Sequence, residues 1–385
     1  MKIIAIEHIL LSAPLDERQT ARWSGGQMSV ANASLVRLRT DSGVDGIGDT
    51  YSGGWFYPEA SGAVLRHFEP LLLGEDPRNV TLLTKKLVAS CKYWGRVGAS
   101  INAISAIENA LWDIAGKAVG LPVWKLVGGL ANDALPYYAS AGLEKPRDLE
   151  AEEMQGYVRD GTRGVKIRVP TDLEAAIAKV ARCRELLGPD IDLMVDAVMG
   201  SHPDPWDAKR ALTFARAIEP FRIAWLEEPC AADDYDGMAE VRAASPIPIS
   251  GGETLFGLVE FGHLIRKRCV DIVQPDACTS GGIVECQRIA AAAALHGLAV
   301  APHAWGSSAA VMANLHWAFA TPNVRLQEFP TWGFPLRDAL LTKPLEIRDG
   351  CILPPQEPGL GVTLTDELIA RYPWAGGTGA KVRTG

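Results

Sequence analysis

Seven short apolar runs, all in one stretch of the chain, each lead into a residue suited to chemistry. GVKIR brings Lys166 and Arg168, LMVDA Asp196, AWLEEP Glu227, ISGGE Glu253, DIVQPD Asp276, AVAPH His303 and VRLQE Glu328. From Lys166 onward the intervals run from 23 residues (Glu253 to Asp276) to 31 (Asp196 to Glu227). That is the length of a strand, a helix and their turns, so the pattern predicts repeated parallel βα units. Stretches such as LEAAIAKVARCRELLG and DAKRALTFARAIEP supply the helices. With ALPYYAS (134–140) as the first strand the count reaches eight, which fills a barrel. In a parallel α/β barrel the strand C-termini converge on one face, so residues far apart in sequence share one site.

The rest of the chain reads differently. Residues 1 to about 60 are β-rich (KIIAIEHILL, ASLVRLRTD), with polar, Gly-containing loops at about 16–32 and 50–58. Residues 60–127 carry apolar residues at helical spacing; Ile101, Ile104, Ile107, Leu111 and Ile114 share one face, and Gly120-Leu121-Pro122 stops that helix. Strands followed by helices make an α+β domain. After Glu328 the chain turns Pro- and Gly-rich and is expected to return to the first domain. The expected division is 1–127, 128–355 and 356–385.

At 385 residues the chain exceeds one ordinary core. Its net charge of -8 argues against a nucleic-acid partner but not against an anionic substrate, since a local cation reverses the field in one pocket. The apolar start MKIIAIEHILLSAP includes Glu7 and His8 and reads as a first strand, not a leader. No run is long enough to span a membrane; IAAAAALHGLAV, with His296, reads as a helix buried against a sheet. Seven scattered cysteines without a C-x-x-C pair fit a reduced, cytoplasmic protein.

Asp196, Glu227 and Glu253 follow successive strands. Three carboxylates in one barrel mouth repel unless a cation neutralises them, and oxygen-only ligands select Mg²⁺ or Mn²⁺. Glu228 neighbours Glu227; strand alternation lets one of them face the centre, and Glu227 is taken as the ligand. Lys166 and Arg168, two apart on a strand, point the same way and call for an anionic partner. Asp276 and His303 form a carboxylate–imidazole pair suited to proton transfer. Glu328 is either a protonated donor to substrate or an ion-pair partner.

Taken in order, these residues resemble the enolase superfamily, and within it the mandelate racemase / muconate lactonizing enzyme group, over essentially the whole chain. The resemblance implies a modified TIM barrel, (β/α)7β, with an α+β cap built from both chain ends. It implies Mg²⁺ on Asp196, Glu227 and Glu253, an acid/base dyad of Asp276 and His303, and an enolate contact from Glu328. The shared chemistry is removal of the proton α to a carboxylate. HAWG and the tail GFPLRDALLTKPLEIRDGCILPPQEPGLGV also look like acid-sugar members, dehydratases and a lactone cycloisomerase among them. An even-numbered homo-oligomer, an octamer included, is the expected assembly.

Two departures matter. The group's Lys-x-Lys motif is here Lys166-x-Arg168, and a guanidinium is a poor base near neutrality. A racemase needs a competent base on each face, whereas a dehydratase needs one, so dehydration of an aldonate or aldarate is favoured over racemisation, epimerisation or lactone isomerisation. A non-catalytic carboxylate-binding protein is the remote alternative. Second, Val198 stands where the group commonly has Asn. In the family the two N-terminal loops set specificity; here Arg22 is a candidate for a distal carboxylate, and Tyr51 and Trp305 are candidate pocket walls.

Overall fold

The computed structural model describes residues 1–382. The N-terminal part forms β1 (Ile3–Pro14), a hairpin of β2 (Ala21–Trp23) and β3 (Gly26–Met28), then β4 (Val30–Thr40) and β5 (Gly46–Asp49). β4 lies between β1 and β5, antiparallel to both. Helices Pro58–Leu72, Val80–Cys91 and Ala99–Val119 cover the sheet. Their apolar stripes, Leu65 and Phe68, Leu83 and Leu87, then Ile104, Ile107, Leu111 and Ile114, bury against Ile3, Val36 and Leu38 in one core.

Segment 16–32, expected as a loop, instead contains the β2–β3 hairpin, and segment 50–58 contains a short helix, Ser52–Phe56. Strands of three residues carry too little pattern to be read. The third strand of the hairpin's sheet comes from the far end of the chain, where Ala380–Val382 pairs antiparallel to β3.

The barrel strands are β6 (Leu135–Ser140), β7 (Gly164–Arg168), β8 (Asp192–Asp196), β9 (Ile223–Glu227), β10 (Ile249–Gly251), β11 (Ile272–Val273), β12 (Ala299–Val300) and β13 (Gln327–Pro330). They pair in parallel in chain order, and β13 returns to β6. A parallel bridge from Val300 to Val324 closes the ring between β12 and the chain entering β13. Seven helices occupy the intervals between strands, which makes the fold a (β/α)7β barrel with an α+β cap. Three of these helices begin on an aspartate, Asp172, Asp207 and Asp234, whose carboxylate accepts from the third helical N–H, a cap worth about 1 kcal/mol each.

The run IAAAAALHGLAV is not one buried helix. The helix Ile283–Leu295 ends before His296, which is exposed, and Gly297 at φ 71° turns the chain into β12. Among the described residues no helix is long and apolar enough to cross a membrane.

Beyond the barrel, β14 (Ile347–Arg348) and β15 (Cys351–Ile352) form a hairpin whose second strand pairs antiparallel with β6. The chain then returns to the cap: Leu360 N–H donates to Asp113, and Ser12 N–H donates to the carbonyl of Tyr372.

Cap and barrel are joined by the polar side of helix Ala99–Val119. Asn102 and Asn109 donate to the carbonyls of Cys278 and Ala277, each at 3.0 Å, and Ser105 accepts from Gly281 N–H at 2.9 Å. Glu108 accepts the N–H groups of Ile283 and Val284, the open N-terminus of the next barrel helix. Gly282 is required there. It sits at φ 103°, and a Cβ would meet Glu108 at 2.2 Å.

Burial pushes the Glu108 carboxyl up from 4.5 to about 7, although the N–H donors oppose the rise. The folded state therefore holds the proton more tightly than the unfolded chain. The resulting stability is complete below pH 4.5 and is lost as the pH rises through 7. Between those limits the wild type is expected to lose up to about 3 kcal/mol relative to Glu108→Gln. Denaturant unfolding of both proteins across this range reads the difference, and a pH-independent difference would contradict it.

Candidate active site

Six of the eight chemistry-bearing residues lie at or just past the C-terminal end of their strands, as parallel strands require of a shared site, and Lys166 and Glu328 lie within theirs. Lys166 and Arg168 are on β7, Asp196 ends β8 and Glu227 ends β9. Glu253 lies two residues past β10, Asp276 three past β11 and His303 three past β12, while Glu328 is on β13.

Asp196, Glu227 and Glu253 bring carboxylate oxygens within 4.8 Å of one another. Three hard oxygen donors at this separation, all largely withdrawn from solvent, fit a hard divalent cation. Burial pushes all three carboxyls up, and their mutual repulsion adds to it. Glu227 is held on every side. Lys166 pairs with one oxygen, and Trp225 Nε1 (3.0 Å) and Gln274 Nε2 (2.7 Å) donate to the other. Glu228 stays out of the triad, but not by strand alternation. It leaves the strand at φ 41°, and its carboxylate accepts the Thr254 hydroxyl at 3.0 Å.

Lys166 is fully buried. Its ammonium also lies 2.9 Å from Glu328 and 3.8 Å from Asp196. Burial disfavours its charge, but Glu227 and Glu328 more than offset this and hold the lysine protonated. Arg168 donates to the Ala141 carbonyl at 2.8 Å, lies 3.5 Å from Asp196 and stacks 4.6 Å from the Trp305 ring centroid. Burial works against its charge too, and Asp196 leads the carboxylates that keep it raised, so it is a fixed cation.

His303 Nδ1 pairs with Asp276 at 2.7 Å, leaving Nε2 toward Glu253 (3.5 Å) and Glu328 (3.9 Å). Burial alone would depress the imidazole; Glu253, Glu328 and Asp276 outweigh it and raise it to about 10. The other oxygen of Asp276 accepts from Cys278 N–H (2.7 Å) and Asn314 Nδ2 (2.8 Å). Asn314 in turn accepts from Ala277 N–H at 2.8 Å, so the helix Ser308–Phe319 fixes the dyad.

Glu328 is an ion-pair partner. Besides Lys166 it accepts from Ala304 N–H at 3.0 Å and Trp305 Nε1 at 3.1 Å. Burial would raise its carboxyl, but Lys166 and His303 outweigh that and hold it at about 2.

A cavity of about 300 Å³ opens onto Glu253, His303 and Arg168. Trp305 and Tyr51 line it, and the Tyr51 ring lies 5.5 Å from the His303 ring. Tyr51 is held at φ 48° by its own N–H donating to Asp49, which also accepts from Ser307 of the barrel. Arg22 does not line the cavity. On β2 the neighbours Ala21 and Trp23 do, and alternation along the strand turns Arg22 away. Val198 also lines it, at φ 58°, a conformation that suits Asn and strains a β-branched residue. A larger, shallow groove of about 570 Å³ on the outer wall, between Asp172 and Thr213, contains none of these groups.

Sequence reasoning passed over Trp225, Gln274, Asn314 and Asp49. The first two stand two residues before Glu227 and Asp276, a same-face spacing that was a usable signal. Asn314 and Asp49 carry none, because their contacts join distant elements.

Residues 6–128 match the model of the mandelate racemase / muconate lactonizing enzyme N-terminal domain, and residues 150–368 match that of the enolase C-terminal domain-like family. The D-galactarolactone cycloisomerase of Agrobacterium fabrum is 34% identical, with 97% of this chain and 99% of that protein covered. The arabinonate dehydratase of Saccharolobus solfataricus is 31% identical, over 93% and 95%. Among solved structures, the 3,6-anhydro-D-galactonate cycloisomerase from Zobellia galactanivorans superposes with TM-score 0.87 at 31% identity, covering 97% of this chain and 99% of that one. A racemase from Streptomyces coelicolor with bound magnesium gives 0.85 at 30%, over 96% and 99%.

Proposed function

We propose the reaction from one premise: the chain belongs to the mandelate racemase / muconate lactonizing enzyme family of enolase-like proteins. The reaction is Mg²⁺-dependent dehydration of an acid sugar, giving a 2-keto-3-deoxy acid and water. The observation that carries it is the one-sided acid/base equipment. The cavity is lined by an imidazole backed by Asp276 and by Arg168, whose guanidinium stays charged.

A divalent cation held by Asp196, Glu227 and Glu253 would neutralise the triad and draw charge from a substrate carboxylate, acidifying its α-proton. With the triad so neutralised, Glu253 would no longer hold His303 protonated, and the free Nε2 takes that proton. Arg168, on the cavity wall, meets the negative charge that then grows on the carboxylate oxygens, while Lys166, buried behind it, is paired with Glu227 and Glu328, and Glu328 also holds the His303 backbone loop in place. His303 returns the proton to the departing β-hydroxyl, which leaves as water. The enol product then tautomerises to the ketone. A single base serves both steps, so Arg168 need only orient the substrate.

The similarity to two cycloisomerases supports a second reading, an isomerase that uses the same proton abstraction. Incubation with acid sugars in D₂O separates the two. Dehydration gives a semicarbazide-reactive 2-keto acid that has lost the elements of water, epimerisation gives α-deuterium and no keto acid, and opening of a ring oxygen at the β-carbon gives a keto acid that keeps them. Turnover of another substrate class, with none among acid sugars, would overturn both. The cytoplasm is the proposed compartment, in keeping with seven free cysteines.

A further inference from the structure

We propose that the substrate carries a single carboxylate, and that beyond the reacting carbons it is uncharged and turns an apolar face to the aromatic wall. An aldonate deoxygenated at its far end meets this description; an aldarate does not. The proposal rests on the acid-sugar reading above and narrows it.

The first argument is charge. Among the described residues that line the cavity, Arg168 is the sole lysine or arginine. It is anchored beside the carboxylate triad, 3.5 Å from Asp196, where it serves the reacting end. Arg22, the residue placed by sequence to meet a distal carboxylate, faces away, and its strand instead presents Ala21 and Trp23. A second carboxylate in this enclosed space would be desolvated without a partner, which is strongly unfavourable.

The second argument is the wall. Trp55 meets Trp305 edge-on at 6.3 Å, and Trp305 stacks at 5.7 Å on Trp332. This array is preorganised, and with Trp23, Phe56 and Phe256 it gives the cavity a lining suited to an alkyl end. Val198 extends it where an amide would have offered hydrogen bonds, despite the backbone strain of φ 58°. The hydroxyls of Thr254 and Thr279 donate inward, to Glu228 and to backbone oxygens. A cavity of about 300 Å³ is at the small end for a ligand site.

The test uses the full-length protein with Mg²⁺ in D₂O. Hexonates are compared with the hexarates of the same configuration and with their 6-deoxy forms, by loss of the α-proton NMR signal and by keto-acid formation. The expected kcat/KM for the best monocarboxylate exceeds that of its matched hexarate at least tenfold, and the 6-deoxy change does not lower it. A hexarate processed equally well overturns the proposal and leaves the acid-sugar reading standing. Exchange with no acid sugar at all overturns the reading and the proposal together. Ser201→Arg, at an exposed position on the cavity rim, is expected to shift the hexarate-to-hexonate ratio at least tenfold toward the hexarate. An unmoved ratio would overturn the argument from the missing cation.

Discussion

His303→Asn is expected to lower kcat by about 10²–10⁴-fold, with loss of both keto-acid formation and α-proton exchange. Asparagine fits the space and can still reach Asp276 while offering no titratable nitrogen at Nε2. The fold should survive, because the residue lies at a strand end and the surrounding loop is held independently by the Glu328–Ala304 contact. Circular dichroism and a Mg²⁺ titration check that the loss is chemical. Full turnover would contradict the role given to His303. Exchange lost with keto-acid formation places His303 at the first step; exchange retained while dehydration stops would confine it to protonation of the leaving group.

Chelation should have an effect of similar size. Dialysis against EDTA is expected to abolish α-proton exchange, by at least about a thousandfold, and Mg²⁺ should restore it. The reason lies in the triad's charge. With no divalent cation, three buried carboxylates and Glu328 face Lys166 and Arg168, and burial keeps the triad carboxyls raised. The cation also stabilises the fold by mass action, so Tm should rise with Mg²⁺ concentration. Glu227→Gln should remove most of that rise, which calorimetry reads without any substrate. Undiminished exchange in EDTA, or a Tm indifferent to Mg²⁺, would sink the metal assignment.

The site's reactive half could be read from the sequence because it is periodic. Asp196, Glu227, Glu253, Asp276 and His303 each follow an apolar strand, and parallel pairing does the rest. The choice of Glu227 over Glu228 came out in the predicted position for another reason. Alternation holds only within a strand, and Glu228 at φ 41° is already outside it. Arg22 shows the opposite failure. A three-residue strand inside a polar segment leaves no pattern from which to tell its faces, and the side chain points away from the cavity. The cap helix was read by its apolar stripe, but its buried polar stripe, from Asn102 to Glu108, is what joins the cap to the loop behind Asp276.

The sequence by itself determined the barrel, the carboxylate triad and the Asp276–His303 pairing, because strand period and strand ends are local properties. Only the tertiary structure decided the substrate end of the site. The β2–β3 hairpin is completed by a strand from the other end of the chain, Asp49 ties Tyr51 to the barrel, and Arg168 lies on Trp305. Each contact joins residues with no periodic relation, so it exists only once the chain has closed on itself.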